Sequence, residues 1–237
     1  MTLGTEWNET TLPYTDPRNS EIAMDNAADP YRYVLERPVV EPPGERWTYN
    51  AGAAALLARM IAKGTGRMLP EFARELLFAP LGITQFEWVA GPNGDESAAS
   101  GLRITLRDLL RIGMLILNNG RWGGRQVVPQ DWLTASFKPA ALMVNRPGYF
   151  GYHWYVGRMA MDDGKGGIHR EPMISATGNG GQRLFMLPRL DLIVVVTAGN
   201  YEAIEQWGPP QAVLRDVILP ALQDSETRPD TNTADRI

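Results

Sequence analysis

The chain has 237 residues, 44% of them apolar, and a formal net charge of −4 from 23 basic and 27 acidic side chains. That length suits one large domain or two small ones with a substantial core. The mild acidity, with no basic block, argues against nucleic acid as a partner, and the absence of cysteine excludes disulfides, thiolate catalysis and cysteine-held metals.

Residues 1–46 are polar, and Pro13, Pro17, Pro30, Pro38, Pro42 and Pro43 interrupt nearly every possible helix. A short helix fits Pro30 to Leu35. So long an irregular stretch is either a functional loop or a segment whose packing partner is missing. Pro42-Pro-Gly-Glu-Arg-Trp-Thr-Tyr49 leads into an Ala/Leu-rich helix over Ala53 to Lys63, with Gly64 placed to end it. A second short helix runs from Pro70 to Phe78 and stops at Pro80-Leu-Gly82. Gly91-Pro-Asn-Gly94 is a turn. The clearest helix is Thr105 to Asn118, where Thr105 serves as N-cap and Asp108 stands three residues on. Arg107 and Asp108 there form an ion pair or a cap. Asn119-Gly120 ends the helix, Gly123-Gly124 is a turn, and Pro129 opens another short helix.

Tyr149 to Val156 alternates with aromatic residues and reads as one strand, with His153 inside it as a structural residue. Met161 to Gly167 is a polar loop, in which Asp162-Asp163 is more readily solvated than cation-binding. A meander follows: a strand ending at Ala176, the bend Gly178-Asn-Gly-Gly-Gln182, a strand from Arg183 to Leu187, a turn at Pro188-Arg-Leu-Asp191 and a strand from Leu192 to Ala198. The consecutive Val194, Val195 and Val196 suit a strand buried on both faces. The glycines either admit a ligand to the backbone or make a tight bulged corner. They are no dinucleotide fingerprint, since neither a third glycine nor a following helix fits, and no cofactor is expected. Gln211 to Leu222 is amphipathic. The fold class is therefore α+β: a mainly helical region over residues 1–137, a sheet region with a closing helix over 138–223, and a disordered tail over 224–237.

Candidates for chemistry are few. The two histidines, His153 and His169, lack the helical spacing of a zinc pair, and no metal site is expected. No apolar stretch reaches membrane length, so no membrane span is expected. The first residues show no signal peptide, which leaves the compartment open, and nothing fixes an oligomeric state. Trp7 and Trp154 either line a cleft or pack in a core. Tyr49 is either a general base activated by a neighbouring cation or a buried aromatic whose hydroxyl caps the backbone.

Several segments, in order, resemble the β-lactamase-related serine hydrolases: Pro42-Pro-Gly-Glu-Arg-Trp-Thr-Tyr-Asn50 with the apolar helix after it, Leu77-Phe-Ala-Pro-Leu-Gly82, Gly101-Leu-Arg-Ile-Thr-Leu-Arg-Asp-Leu109, Gly178-Asn-Gly-Gly-Gln182 and Ala198-Gly-Asn200. That family includes class C β-lactamases, DD-peptidases, esterases and 6-aminohexanoate-dimer hydrolases, and the resemblance runs from residue 1 to about 222. Tyr14-Thr-Asp-Pro17 resembles a tyrosine-bearing loop of the last branch. The resemblance implies a β-lactamase/transpeptidase-like fold and hydrolysis of a small ester or amide through an acyl-enzyme. It makes Tyr49, in a Y-x-N-type motif, the proton relay. It aligns Ala176-Thr-Gly178 with a K-T-G-type motif, and Asn179 then offers one oxyanion-hole N–H. Tyr14, Asn50, Ala176, Thr177 and Gly178 become substrate-binding residues.

Three departures qualify this. Ala51 stands where the tyrosine motif has its substrate-binding Asn. Ala176 replaces the strand lysine that would recognise a substrate carboxylate, which favours an esterase or amidase over a true β-lactamase. No S-x-x-K exists: three residues before Lys63, Lys138 and Lys165 stand Met60, Ala135 and Asp162, and none of the six serines has a lysine partner. The family's nucleophile helix and first strands are thus expected to be missing from an N-terminally truncated chain, inactive alone. The alternative is a non-catalytic homologue that binds a ligand or partner.

Overall fold

A computed structural model describes residues 1–144, 147–162, 167–201, 203 and 205–222. The tail expected to be disordered, 224–237, and Asp163 of the acidic pair lie outside the described residues. The chain divides into two compact units, Met1–Val156 and Gly157–Ile237.

In the first unit, helices α1 (Ser20–Asp25) and α2 (Pro30–Leu35) interrupt the proline-rich start. Each begins at a side-chain cap: Asn19 accepts from the Glu21 amide, and Asp29 accepts from the Arg32 amide. Asn19 is fully buried, and its amide also donates to the carbonyls of Glu9 (3.2 Å) and Leu12 (2.9 Å), which pins the preceding loop to α1. The segment has a packing partner. Trp7, Met24 and Val34 form one cluster with Ala55 of helix α3 (Ala51–Thr65), flanked by Tyr33 and Leu56. Small residues let α3 approach closely. A Cβ at Gly52 would stand 2.5 Å from the Trp7 ring and 2.7 Å from Val34. The helix passes Gly64 and ends at Gly66, which takes the left-handed conformation (φ 71°). Gly64, placed at the end by sequence alone, lies inside it.

Helix α4 (Leu69–Ala73) continues through a π-helical turn, Arg74–Phe78. Strands β1 (Phe86–Trp88) and β2 (Leu102–Ile104) pair antiparallel, Phe86 opposite Ile104. Helix α5 (Leu106–Leu117) has the expected cap: Thr105 Oγ1 accepts from the Asp108 amide at 3.1 Å and donates to the Asp108 carboxylate at 2.8 Å. Asp108 forms its ion pair with Arg111 at 2.7 Å, one turn along the same face, not with Arg107. Phe78, Leu81, Ile83 and Leu115 make the core here, with Phe86 edge-on to Phe78. Strands β3 (Arg121–Trp122) and β4 (Arg125–Gln126) form a hairpin about Gly123-Gly124, both at positive φ as a two-residue turn of primed type requires. Helix α6 (Gln130–Ser136) follows.

The aromatic stretch expected to be one strand is two. Strands β5 (Ala141–Leu142), β6 (Tyr149–Phe150) and the start of β7 (Tyr155–Asp162) pair in sequence order, and the chain turns between β6 and β7 at His153, whose φ is +61°. Met161 and Asp162, read as loop, extend β7. Trp154 stands edge-on to Phe137 (5.6 Å), whereas Trp7 belongs to the core.

The second unit holds the rest of β7, then β8 (Ile168–Gly178), β9 (Gln182–Leu187) and β10 (Leu192–Val196), an antiparallel meander in sequence order. Its register sets Ser175 opposite Phe185 and Val194 opposite Phe185 on the other side. A helix runs from α7 (Gly208–Ala212) through a π-helical turn, Val213–Ile218, and is still helical at residue 222, the last one described. Leu214 and Leu219 pack against Met159, Phe185 and Leu187, with Leu192 and Val194 alongside. The strand buried at every position from Arg183 to Leu187 is β9, while all five residues of β10 are only half-buried. The expectation for Val194–Val196 is therefore corrected: among the described residues β10 pairs on one side only, and β9 takes the sheltered place between two strands.

Candidate active site

Tyr49 immediately precedes the N-cap of α3 and belongs to an aromatic cluster with Trp47 and Phe150. The Trp47 and Tyr49 ring centroids are 6.3 Å apart. Asn50 is the cap: its Oδ1 accepts from the Ala53 amide at 2.8 Å, and only 3% of the residue is exposed. The first turn of a helix leaves amides without internal partners, which an Asn oxygen satisfies.

A second acceptor, missed in the sequence, meets the same helix end. Glu9 is buried, and its carboxylate accepts from the Ala51 amide (2.8 Å), the Trp7 indole (2.8 Å) and the Tyr14 hydroxyl (3.2 Å). A carboxylate at a helix N-terminus also meets the positive end of the helix dipole. Glu21 lies beside Glu9. Burial, then the charges of Glu9 and Asp25, push its carboxyl up to about 8. Burial, followed by the charge of Glu9, raises the Tyr14 phenol well above its ordinary range, with smaller contributions from Glu21 and Tyr49. Tyr14 thus stays a hydrogen-bond donor. Of the predicted site residues, the fold brings Tyr14, Tyr49 and Asn50 to one end of α3. Only the amphiphilic spacing of α1 could have hinted that Glu21 turns inward.

In the second unit, Ala176, Thr177 and Gly178 are the last residues of β8, and Asn179 opens a single 3₁₀ turn, Asn179–Gly181. Thr177 Oγ1 is buried with no hydrogen-bond partner. Asn179 is exposed, and its side-chain oxygen accepts from the Gly180 amide at 2.9 Å. That amide also reaches Gln206 Oε1 (2.5 Å), and the Gly180 carbonyl accepts from the Asn200 amide (3.0 Å). Gly180 has φ +81°, and a Cβ there would stand 2.7 Å from the Tyr201 ring, so glycine is required on both counts. The Gln182 side chain donates to the Ala198 carbonyl. Arg183, also missed in the sequence, is buried beneath the turn: its Nη1 donates to the carbonyls of Gly178 (3.2 Å) and Gln182 (2.6 Å), and it stacks on Trp207. The turn is braced from four sides and presents Asn179 outward.

Three serines serve local structure. Ser20 accepts from the Asn8 amide, Ser97 from the Ala99 amide, and Ser136 donates to the Trp132 carbonyl. Ser175 is buried in β8.

The beta-lactamase family profile matches residues 8–205. The chain belongs to this family. Its folding pattern agrees with solved structures of the beta-lactamase family and its kin. A structure from Bacillus anthracis described as a 6-aminohexanoate-dimer hydrolase superposes with a TM-score of 0.73 at 21% identity, over 94% of this chain and 60% of that one. Simvastatin synthase from Aspergillus terreus gives 0.60 at 15% identity, over 94% and 67%. The D-amino acid amidase of Ochrobactrum anthropi SV3 gives 0.58 at 16%, over 94% and 70%. At these identities the likeness is one of fold. This beta-lactamase-family chain spans about 60% of the length of the first of them. A sequence search of curated proteins gave no match. The α+β class and the β-lactamase/transpeptidase-like fold expected from the sequence both hold. Among the described residues no helix is long and apolar enough to cross a membrane.

Proposed function

We propose that this chain carries part of the machinery of a serine hydrolase that cleaves a small ester or amide through an acyl-enzyme. The match of the beta-lactamase profile to residues 8–205 carries the reading. Tyr49 is the proton relay: its phenolic oxygen takes the proton of the attacking hydroxyl and returns it to the leaving group. The Asn179 amide is one of two donors to the oxyanion, and the braced turn holds it without reorganisation during reaction. Tyr14, Asn50, Ala176, Thr177 and Gly178 contact the substrate. With Asn50 Oδ1 committed to Ala53, its contact falls to Nδ2. Ala176, where a lysine would meet a carboxylate, favours esters and neutral amides over β-lactams.

The nucleophile is not among these 237 residues, since no serine is followed three positions on by lysine. The chain alone is inactive. A product of the same gene that carries S-x-x-K ahead of Met1 is expected to hydrolyse p-nitrophenyl acetate, and Tyr49→Phe to lower its kcat by about 10²- to 10⁴-fold. No hydrolysis of any ester or amide by such a product, or full activity in the Phe variant, overturns the reading. The missing motif also supports a second reading, a non-catalytic homologue that binds ligand. Calorimetric binding of 6-aminohexanoate dimer to the 237-residue chain, without turnover, would favour that one.

A further inference from the structure

Burying a charge is expensive, so a buried guanidinium calls for a reason. Arg183, near the start of β9, is only 2% exposed. Its Nη1 donates to two carbonyls, Gly178 at 3.2 Å and Gln182 at 2.6 Å, one on each side of the glycine turn. Its guanidinium carbon lies 4.7 Å from the centre of the Trp207 ring, which holds the charged head in place. In the sheet register Arg183 stands opposite Thr177, the residue before Gly178.

The consequence for Asn179 follows from peptide geometry. The Gly178–Asn179 peptide is planar and trans, so its carbonyl and its N–H point in opposite directions. Arg183 draws the carbonyl inward, which turns the N–H outward, on a residue that is itself exposed. A cationic donor on the carbonyl also pulls electron density through the conjugated unit, and the N–H at its far end becomes a stronger donor. We infer that Arg183 is a positioning residue: through the Gly178 carbonyl it aims and polarises the Asn179 amide toward an oxyanion. The inference rests on the reading of Asn179 as an oxyanion donor. Arg183 need not touch the substrate, because its charge acts through one peptide unit. The Gly180 amide, taken up by Gln206, secures the next peptide of the turn in the same way.

Amide hydrogen exchange, followed by NMR, reads this on the 237-residue chain itself, without hydrolysis. Hydroxide removes an amide proton faster the more acidic the N–H, so a cation on the carbonyl speeds exchange. A merely structural brace does the reverse, and its loss would free the turn and speed exchange. Arg183→Met should therefore slow exchange of the Asn179 amide about tenfold, the excess of a charge-assisted hydrogen bond over a neutral one. Arg183→Lys keeps the charge and should stay near the parent rate. Trp207→Leu releases the guanidinium from its ring and should also slow exchange; it takes the place of Arg183→Met if circular dichroism shows that variant unfolded. Unchanged or faster exchange, or equal slowing in Arg183→Lys, overturns the inference. In the product that carries S-x-x-K, Arg183→Met should lower kcat by a similar factor with KM unchanged, and Arg183→Lys should recover most of it. Full kcat for the Met variant of an active product also overturns the inference. If that product cleaves no ester, the hydrolase reading falls, and the exchange rates alone decide whether Arg183 polarises the Asn179 amide.

Discussion

A carboxyl held protonated in the fold makes stability depend on pH. Glu21 sits against Glu9 and Asp25, and its carboxyl rises from an ordinary 4.5 to about 8. Between those values the folded chain binds more protons than the unfolded one, so this contribution is complete below the lower value and lost as pH climbs through the upper. The melting temperature is expected to fall between pH 5 and 8.5. Glu21→Gln, which cannot ionise, should flatten that slope and raise the melting temperature at pH 8, where each kcal/mol is worth about 2–4 °C in a chain of this size. A slope unchanged in the variant would assign it to other groups. Glu9 beside Glu21 accepts from three donors, one of them the Ala51 amide at the start of α3.

At the level of elements, the start of α3 is where local chemistry and site geometry coincide. Asn50→Ala removes the cap, at a cost of about 0.5–2 kcal/mol, and frees the turn next to Tyr49. Urea denaturation should read the lost stability, and no loss would mean that Glu9 alone holds the helix end. The elements legible in the sequence were those whose signals are local. The caps at Thr105 and the meander about Gly178–Gly181 depend on neighbours a few residues away. What was not legible depends on distant pairing. Val194–Val196 carry the composition of an inner strand, but whether a strand is inner is decided by what lies on its far side. Tyr149–Val156 has the alternation of a strand, yet His153 reverses the chain within it. Gly64 and Gly66 compete to end α3, and the one that adopts positive φ wins. In the site, Tyr49 and the Gly178 turn were visible as motifs. Glu9 and Arg183 were not, because a buried charge is recognisable only from its partners.

For the whole molecule, membership of the beta-lactamase family and the absence of S-x-x-K together predict behaviour that neither predicts alone. A serine-directed fluorophosphonate should leave the 237-residue chain unlabelled, because no serine is followed three positions on by the lysine that would take its proton. Mass spectrometry showing a stoichiometric adduct on any of the six serines would refute this. One small residue ties these scales together. The Trp7 ring fills the volume a methyl group at position 52 would occupy, and that same indole is a donor to Glu9. Gly52→Ala would push the ring aside and strip the carboxylate of a partner. A change of one carbon on a helix would then be felt in the hydrogen bonding of a carboxylate more than forty residues away in sequence, a steric signal handed from one segment to another through a single indole.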